Sequence, residues 1–157
     1  MKRYCTSRLV RRLKDARGAN IVEMAIVMPL LFLLTFSIVD FGSIFYAYLA
    51  LENGVSQAAR FGVTGNVSPG LSREDSIRKA MRDATPTLTI EDGDFTFTHM
   101  APGGASWLAG SGNPGDVSRV QVTHHWGVLT PVLREFFASN MVTIKVESAM
   151  LNEPRFD

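Results

Sequence analysis

The chain has 157 residues, 46% of them hydrophobic, and a formal net charge of +1, enough for one modest domain beside a membrane segment of about 20–30 residues. That small charge conceals an asymmetry: residues 1–18 carry seven lysines and arginines against Asp15, a net +6, so the remainder carries −5. The single cysteine, Cys5, excludes an intramolecular disulfide, so any exported part is held by its core and its anchor.

The basic head admits nucleic acid as a partner, but its place against an apolar span fits the positive-inside rule better, with the N-terminus in the cytoplasm and the C-terminus outside. Residues 1–17 interleave Leu9, Val10 and Leu13 with basic residues. They read as a short amphipathic helix on an anionic membrane or, more simply at this length, as a disordered charged leader that sets topology. Cys5 reads as incidental, with a reactive or lipidated thiol as the alternative.

Sixteen uncharged residues, mostly large and apolar, separate Glu23 from Asp40. As a helix, Ile21 to Val39 rises about 28 Å, close to the thickness of a bilayer's hydrocarbon core. A cleaved secretory signal fits poorly: the apolar run is too long, and Tyr48 and Ala50 stand where two small residues are needed. Pro29 predicts a kink near Ala25 to Pro29. Glu23 has two readings. It is an interfacial acid in the first turn, favoured by the macrodipole. Alternatively, if the chain is cut after Gly18, the new ammonium at Ala19 pairs with Glu23 of a neighbouring copy and lowers the cost of both charges.

The helical pattern continues past Asp40. Ala50, Gly54, Ala58 and Gly62 recur every four residues, a stripe that admits close approach by another helix or by the chain's own sheet. One helix is expected from about Ala19 to Phe61, spanning the membrane over about 21–43, with Glu52, Gln57 and Arg60 facing water. Residues 62–70 break it, and Asn66-Val67-Ser68 matches a glycosylation sequon of use only in a eukaryotic secretory route. Ser72 heads a capping-box pattern, and Ile77, Ala80 and Met81 predict a short amphipathic helix ending before Pro86.

Leu88, Ile90, Phe95 and Phe97 alternate with polar residues around Asp92-Gly93, which predicts a hairpin. Residues 101–116 read as a long glycine- and proline-rich loop pinned by Trp107 and Leu108. Val120, Val122, His124 and Trp126 predict a further strand. Thr130-Pro131 opens a short helix through Ala138, and Val142, Ile144 and Val146 mark a last strand. The whole is α+β: a leader over 1–18, a helix over 19–62, and an extracytoplasmic domain over 63–157 with an antiparallel sheet of three to four strands and short helices.

Chemistry-bearing clusters are thin, and neither a catalytic residue nor a cofactor site is expected. His124 and His125 point to opposite faces, whereas His99 and His124 share an apolar phase and could meet across the sheet as metal ligands. Two half-buried histidines bonded to backbone or water are the simpler reading. Glu91, Asp92 and Asp94 lack the length and final acid of a calcium loop.

Gly18-Ala19-Asn20-Ile21-Val22-Glu23, then Met24 to Pro29 and the apolar run, with Gln57-Ala58-Ala59-Arg60 and Asn152-Glu153-Pro154, resemble TadE-like proteins, minor pilins or pseudopilins of the tight-adherence (Flp) pilus. The resemblance is strong over roughly residues 17–62. It implies a pilin-like fold and a non-enzymatic role in pilus assembly. A prepilin peptidase would cut between Gly18 and Ala19, making Glu23 the fifth mature residue and removing Cys5. Met24 stands where the family commonly has Phe or Tyr. The implied partners are that peptidase, other pilins or pseudopilins, the assembly machinery and inner-membrane lipid, with the C-terminal domain periplasmic and no nucleic acid. The rival readings are an uncleaved single-pass protein whose outer domain binds a protein partner, and a membrane-tethered metalloenzyme built on His99 and His124.

Overall fold

The computed structural model describes residues 5–135 and 140–154, with side chains at all of these except 5–17, 132 and 133. The chain divides into two units, Met1–Phe41 and Gly42–Asp157, and helix α1 (Cys5–Val63) contributes to both.

In the first unit the residues from Cys5 to Arg17 are helical, not the disordered leader expected from their charge. Propagation explains this: extending a nucleated helix fixes one residue per hydrogen bond, and the Arg, Lys, Leu and Ala between Ser7 and Arg17 are good helix formers. The helix passes Gly18 and Pro29 without interruption. Its two mid-span hydroxyls are satisfied internally: Thr35 Oγ1 donates to Leu31 O (2.8 Å) and Ser37 Oγ to Leu33 O (2.7 Å).

In the second unit, strands β1 (Phe95–Met100), β2 (Leu108–Ala109), β3 (Val117–Gly127) and β4 (Met141–Leu151) form one antiparallel sheet in the order β2-β1-β3-β4. Register places Phe95 opposite Val122 and Val122 opposite Val146. Period-two alternation therefore turns Phe95, Phe97, Val120, Val122, Ile144 and Val146 to one face, and all six are buried. They share a core with Ala47, Leu51, Val55, Ala58 and Ala59 of α1 and with Ile77 and Met81 of α2 (Arg73–Ala84). The opposite face carries Gln121, His125, Thr143, Lys145 and Glu147. The class is α+β, as the sequence predicts.

Two local expectations need correction. Leu88 and Ile90 are buried but belong to no strand, and Asp92–Asp94 is a 3-10 turn, so there is no hairpin at Asp92-Gly93. The segment is tied to α2 by Arg82 Nε, which donates to Ile90 O (3.0 Å), and the turn is closed within itself by Glu91 N, which donates to Asp94 Oδ2 (3.0 Å). Residues 101–116 are not wholly loop, because Leu108–Ala109 pairs with Thr98 and His99 as β2. Helix α3 covers Pro131–Arg134; residues 136–139 of its expected extension to Ala138 lie outside the described residues.

Helix α2 begins as its sequence pattern demands. Ser72 Oγ accepts from Asp75 N (3.1 Å) and donates to the Asp75 carboxylate (2.6 Å), while Arg78 donates to the same carboxylate (2.6 Å). The Ser72 and Arg78 hydrogen bonds hold the Asp75 carboxyl below the usual carboxylate range. A folded-state pKa below the unfolded one gives stabilisation that is present above the ordinary carboxylate range and lost as the pH falls through and below it. Ser72→Ala is expected to cost about 1 kcal/mol at neutral pH, and its deficit against the parent should shrink in melts run at progressively lower pH.

Candidate membrane anchor and assembly residues

Fifteen large apolar side chains from Ile21 to Phe41 are exposed, from Met28 at 36% to Ile21 at 70%. They cover every side of α1 with no polar stripe among them. A helix apolar all round is stable only when something apolar surrounds it. Among the described residues the most apolar stretch of Gly18–Val63 is 0% buried. The helix is long and apolar enough to cross a membrane.

Gly18, Ala19 and Glu23 stand exposed at the start of this surface, and open space surrounds the Gly18 Cα. Ala19 and Glu23 are one helical turn apart, so they share a side of α1.

The small-residue stripe lies in the second unit, and that unit fills it. A Cβ on Gly54 would stand 2.5 Å from Thr85 Cγ2 and 3.4 Å from Met81, and one on Gly62 2.9 Å from Ile77 Cδ1. Ala58 is fully buried, and Ala50 packs at the edge of the core. Glycine is needed because α2 crosses α1 at these points. At Gly54 and Gly62 the close approach is made by α2 and by Thr85 at its C-terminal end.

Two groupings of contacts, around Asn152 and around Arg119, are not legible from spacing along the chain. The first is a polar lock around Asn152, which is fully buried. Its Nδ2 donates to Asn113 O (2.8 Å) and Ser111 O (3.4 Å), its Oδ1 accepts from Ser118 Oγ (2.8 Å), and its backbone N donates to Asp116 O (2.8 Å). Glu153 N then donates to Val63 O (2.9 Å), tying the end of β4 to the last carbonyl of α1. Arg73 completes the junction by donating to Gly112 O and to Gly62 O. Burial lowers the Arg73 pKa, opposed by the charges of Asp116 and Glu74. The cavity beside it, lined by Ala59, Gly62, Ile77, Phe97 and Ser118, is about 10 Å³, room for a single water. Asn-Glu-Pro at the chain's end is a signal for this lock only once the partner loop is known to be near.

The second is Arg119, whose guanidinium lies 4.1 Å from the Trp107 ring centroid and whose Nε donates to Thr98 Oγ1 (3.0 Å). This stack pins the loop expected to hang on Trp107 and Leu108.

The histidines do not converge. His99 pairs with Ser118 across the β1–β3 ladder, and Ser118 lies six residues along β3 from His124, about 20 Å at the rise of a strand. His99 Nδ1 faces Gly110 O at 3.2 Å, and His124 Nδ1 lies 4.0 Å from Asp94 Oδ2. The expected meeting across the sheet fails because the two residues sit at opposite ends of it. Among the described residues no group of three or more potential metal ligands forms.

Residues 18–60 match the family described as TadE-like protein. The match begins at the glycine of the Gly-Ala-Asn-Ile-Val-Glu segment and ends at the arginine of Gln-Ala-Ala-Arg. No curated protein and no solved structure gives a significant match to the chain.

Proposed function

We propose that this chain, TadE-like over residues 18–60, is a single-pass, non-enzymatic component of tight-adherence (Flp) pilus assembly, a minor pilin or pseudopilin. The observation that carries the reading is the coincidence of the matched segment with an apolar helix whose most apolar stretch is 0% buried among the described residues. The basic residues before Gly18 stay in the cytoplasm of the inner membrane, and Gly42–Asp157 emerges on the periplasmic side. A prepilin peptidase removes the leader between Gly18 and Ala19. The new ammonium and Glu23 then neutralise one another between neighbouring subunits as they come together with other pilins in the assembly machinery.

N-terminal sequencing of the protein recovered from membranes tests the processing step. Ala19 as the first residue is the expected result. Met1 or Lys2, in cells with an active prepilin peptidase, would instead mean an uncleaved anchor whose outer domain binds a protein partner. Glu23→Gln is expected to leave membrane insertion unchanged and to lower incorporation into the pilus or its base severalfold, measured by co-purification with the assembled structure. Normal incorporation would remove charge pairing from the mechanism while leaving the anchor in place.

A further inference from the structure

Two hydrogen bonds fix the direction of the sheet along α1 within Gly42–Asp157. Trp126 Nε1 donates to Ser43 Oγ (3.3 Å), and Glu153 N donates to Val63 O (2.9 Å). β3 therefore runs back toward Ser43, and the chain leaves the sheet at that end after Gly127. Ser43 is also where the expected membrane span of about 21–43 finishes. Four residues beyond Val39, it stands about 6 Å past the apolar run. That is inside the headgroup layer, which adds about 5–7 Å to each side of the hydrocarbon core.

The residues at this end suit such a layer. Val128 is buried and its N donates to Asn140 O (3.4 Å), which carries the ladder one pair past Gly127 and Met141. Leu129 is 56% exposed and Met141 52%. Farther from Ser43 the same sheet face holds His125, Thr143, Lys145 and Glu147 instead. The half-buried indole of Trp126 stands beside them. Phe45 and Tyr46 of α1 are exposed, and helical side chains lean toward the helix N-terminus, here toward the bilayer. Aromatic side chains with a polar handle favour the membrane–water interface, where the ring is in apolar surroundings and the handle stays hydrogen-bonded. Exposed Arg134 and Glu135 offset one another in charge, so the fit is one of aromatic and apolar area.

We propose that Trp126, Leu129 and Met141, with Phe45 and Tyr46, form a second membrane contact that rests in the headgroup layer of the leaflet where α1 emerges. The lipid surface then orients Gly42–Asp157, which would otherwise be held by its helix alone. Phospholipid is the occupant because this face is continuous with the end of the span. The inference rests on the membrane anchor of the proposed function, and it is independent of processing at Gly18 and of any role in a pilus. Leu151 supplies the control: it is 64% exposed on the same strand, but at the Val63 end, about 30 Å from Ser43 at the rise of a helix.

The test places one fluorophore at a time on Leu30→Cys, Leu129→Cys, Met141→Cys or Leu151→Cys in the full chain with Cys5→Ser. Each is reconstituted as one chain per nanodisc of phosphatidylethanolamine and phosphatidylglycerol. Lipids with a nitroxide high on the acyl chain should quench the probes at 129 and 141 severalfold more than the probe at 151, and aqueous iodide should do the reverse. A nitroxide at the bilayer centre should quench the probe at 30. Leu129→Glu should lower lipid quenching at 141 severalfold and leave quenching at 30 unchanged. Probes at 129 and 141 that behave like 151, with 30 still quenched, would overturn the second contact and leave the anchor standing; no lipid quenching at 30 would overturn both. Unchanged quenching at 141 in Leu129→Glu would also overturn the proposal, since nearness to the span would then suffice. So would iodide protection at 129 that appears only in discs holding two chains, which would assign the face to a second copy.

Discussion

Asn152→Ala is expected to destabilise Gly42–Asp157 by about 2–4 kcal/mol, read as a lower urea midpoint for the full chain in detergent. The side chain is fully buried and holds three segments at once: Asn113 and Ser111 in the loop before β3, Ser118 within it, and its own position at the end of β4. Truncation removes both donors and the acceptor. The Asn113 carbonyl then loses its side-chain donor, and leaving a buried acceptor unmade costs more than the net value of the bond. The backbone bond from Asn152 N to Asp116 O survives the substitution, so the loss is confined to the amide. Asn152→Asp should be worse than alanine despite its matched size, because a carboxylate presents oxygens where two carbonyls need donors. A loss below about 1 kcal/mol for both variants would show that the amide is not what holds this junction.

The second large effect belongs to Gly54. Gly54→Leu is expected to cost about 3 kcal/mol, since the added side chain enters a crossing where the Cβ alone would already stand 2.5 Å from Thr85 Cγ2. Alanine separates the causes. In a helix it is worth up to about 1 kcal/mol over glycine, against about 1–3 kcal/mol for overpacking, so Gly54→Ala should be net destabilising. Thr85 cannot easily turn aside, as it is buried and its Oγ1 donates to Met81 O (2.8 Å). Thr85→Ser keeps that hydroxyl and deletes the methyl. In the Thr85→Ser background Gly54→Ala should therefore change sign and become neutral or stabilising. Destabilisation of the same size in both backgrounds would mean that the glycine serves something other than the α1–α2 crossing.

These two sites mark where reading the chain stopped short. Ala50, Gly54, Ala58 and Gly62 were visible as a stripe that wants a close neighbour, but spacing along one helix says nothing about which element arrives. Asn152 carried no periodic signal at all, since a polar residue after a strand looks like any other strand end. The failed hairpin at Asp92-Gly93 has the same origin. Leu88 and Ile90 alternate as a strand would, yet Arg82 takes the Ile90 carbonyl that a ladder would need. His99 and His124 share a phase, and phase alone cannot report that register sets them at opposite ends of the sheet.

What the amino-acid order determined by itself was everything governed by local periodicity and by bulk apolarity. The uncovered span from Ile21 to Val39, the basic flank before it, the cap at Ser72, and the alternation of Val120, Val122, Ile144 and Val146 all follow from residues within one or two turns of one another. Only the tertiary structure decided the long-range pairings: α2 against Gly54 and Gly62 of α1, Asn152 as the clasp on residues 111–118, and the strand order β2-β1-β3-β4. Those depend on which distant segments meet, a matter of chain topology and close packing that no spacing along the chain encodes.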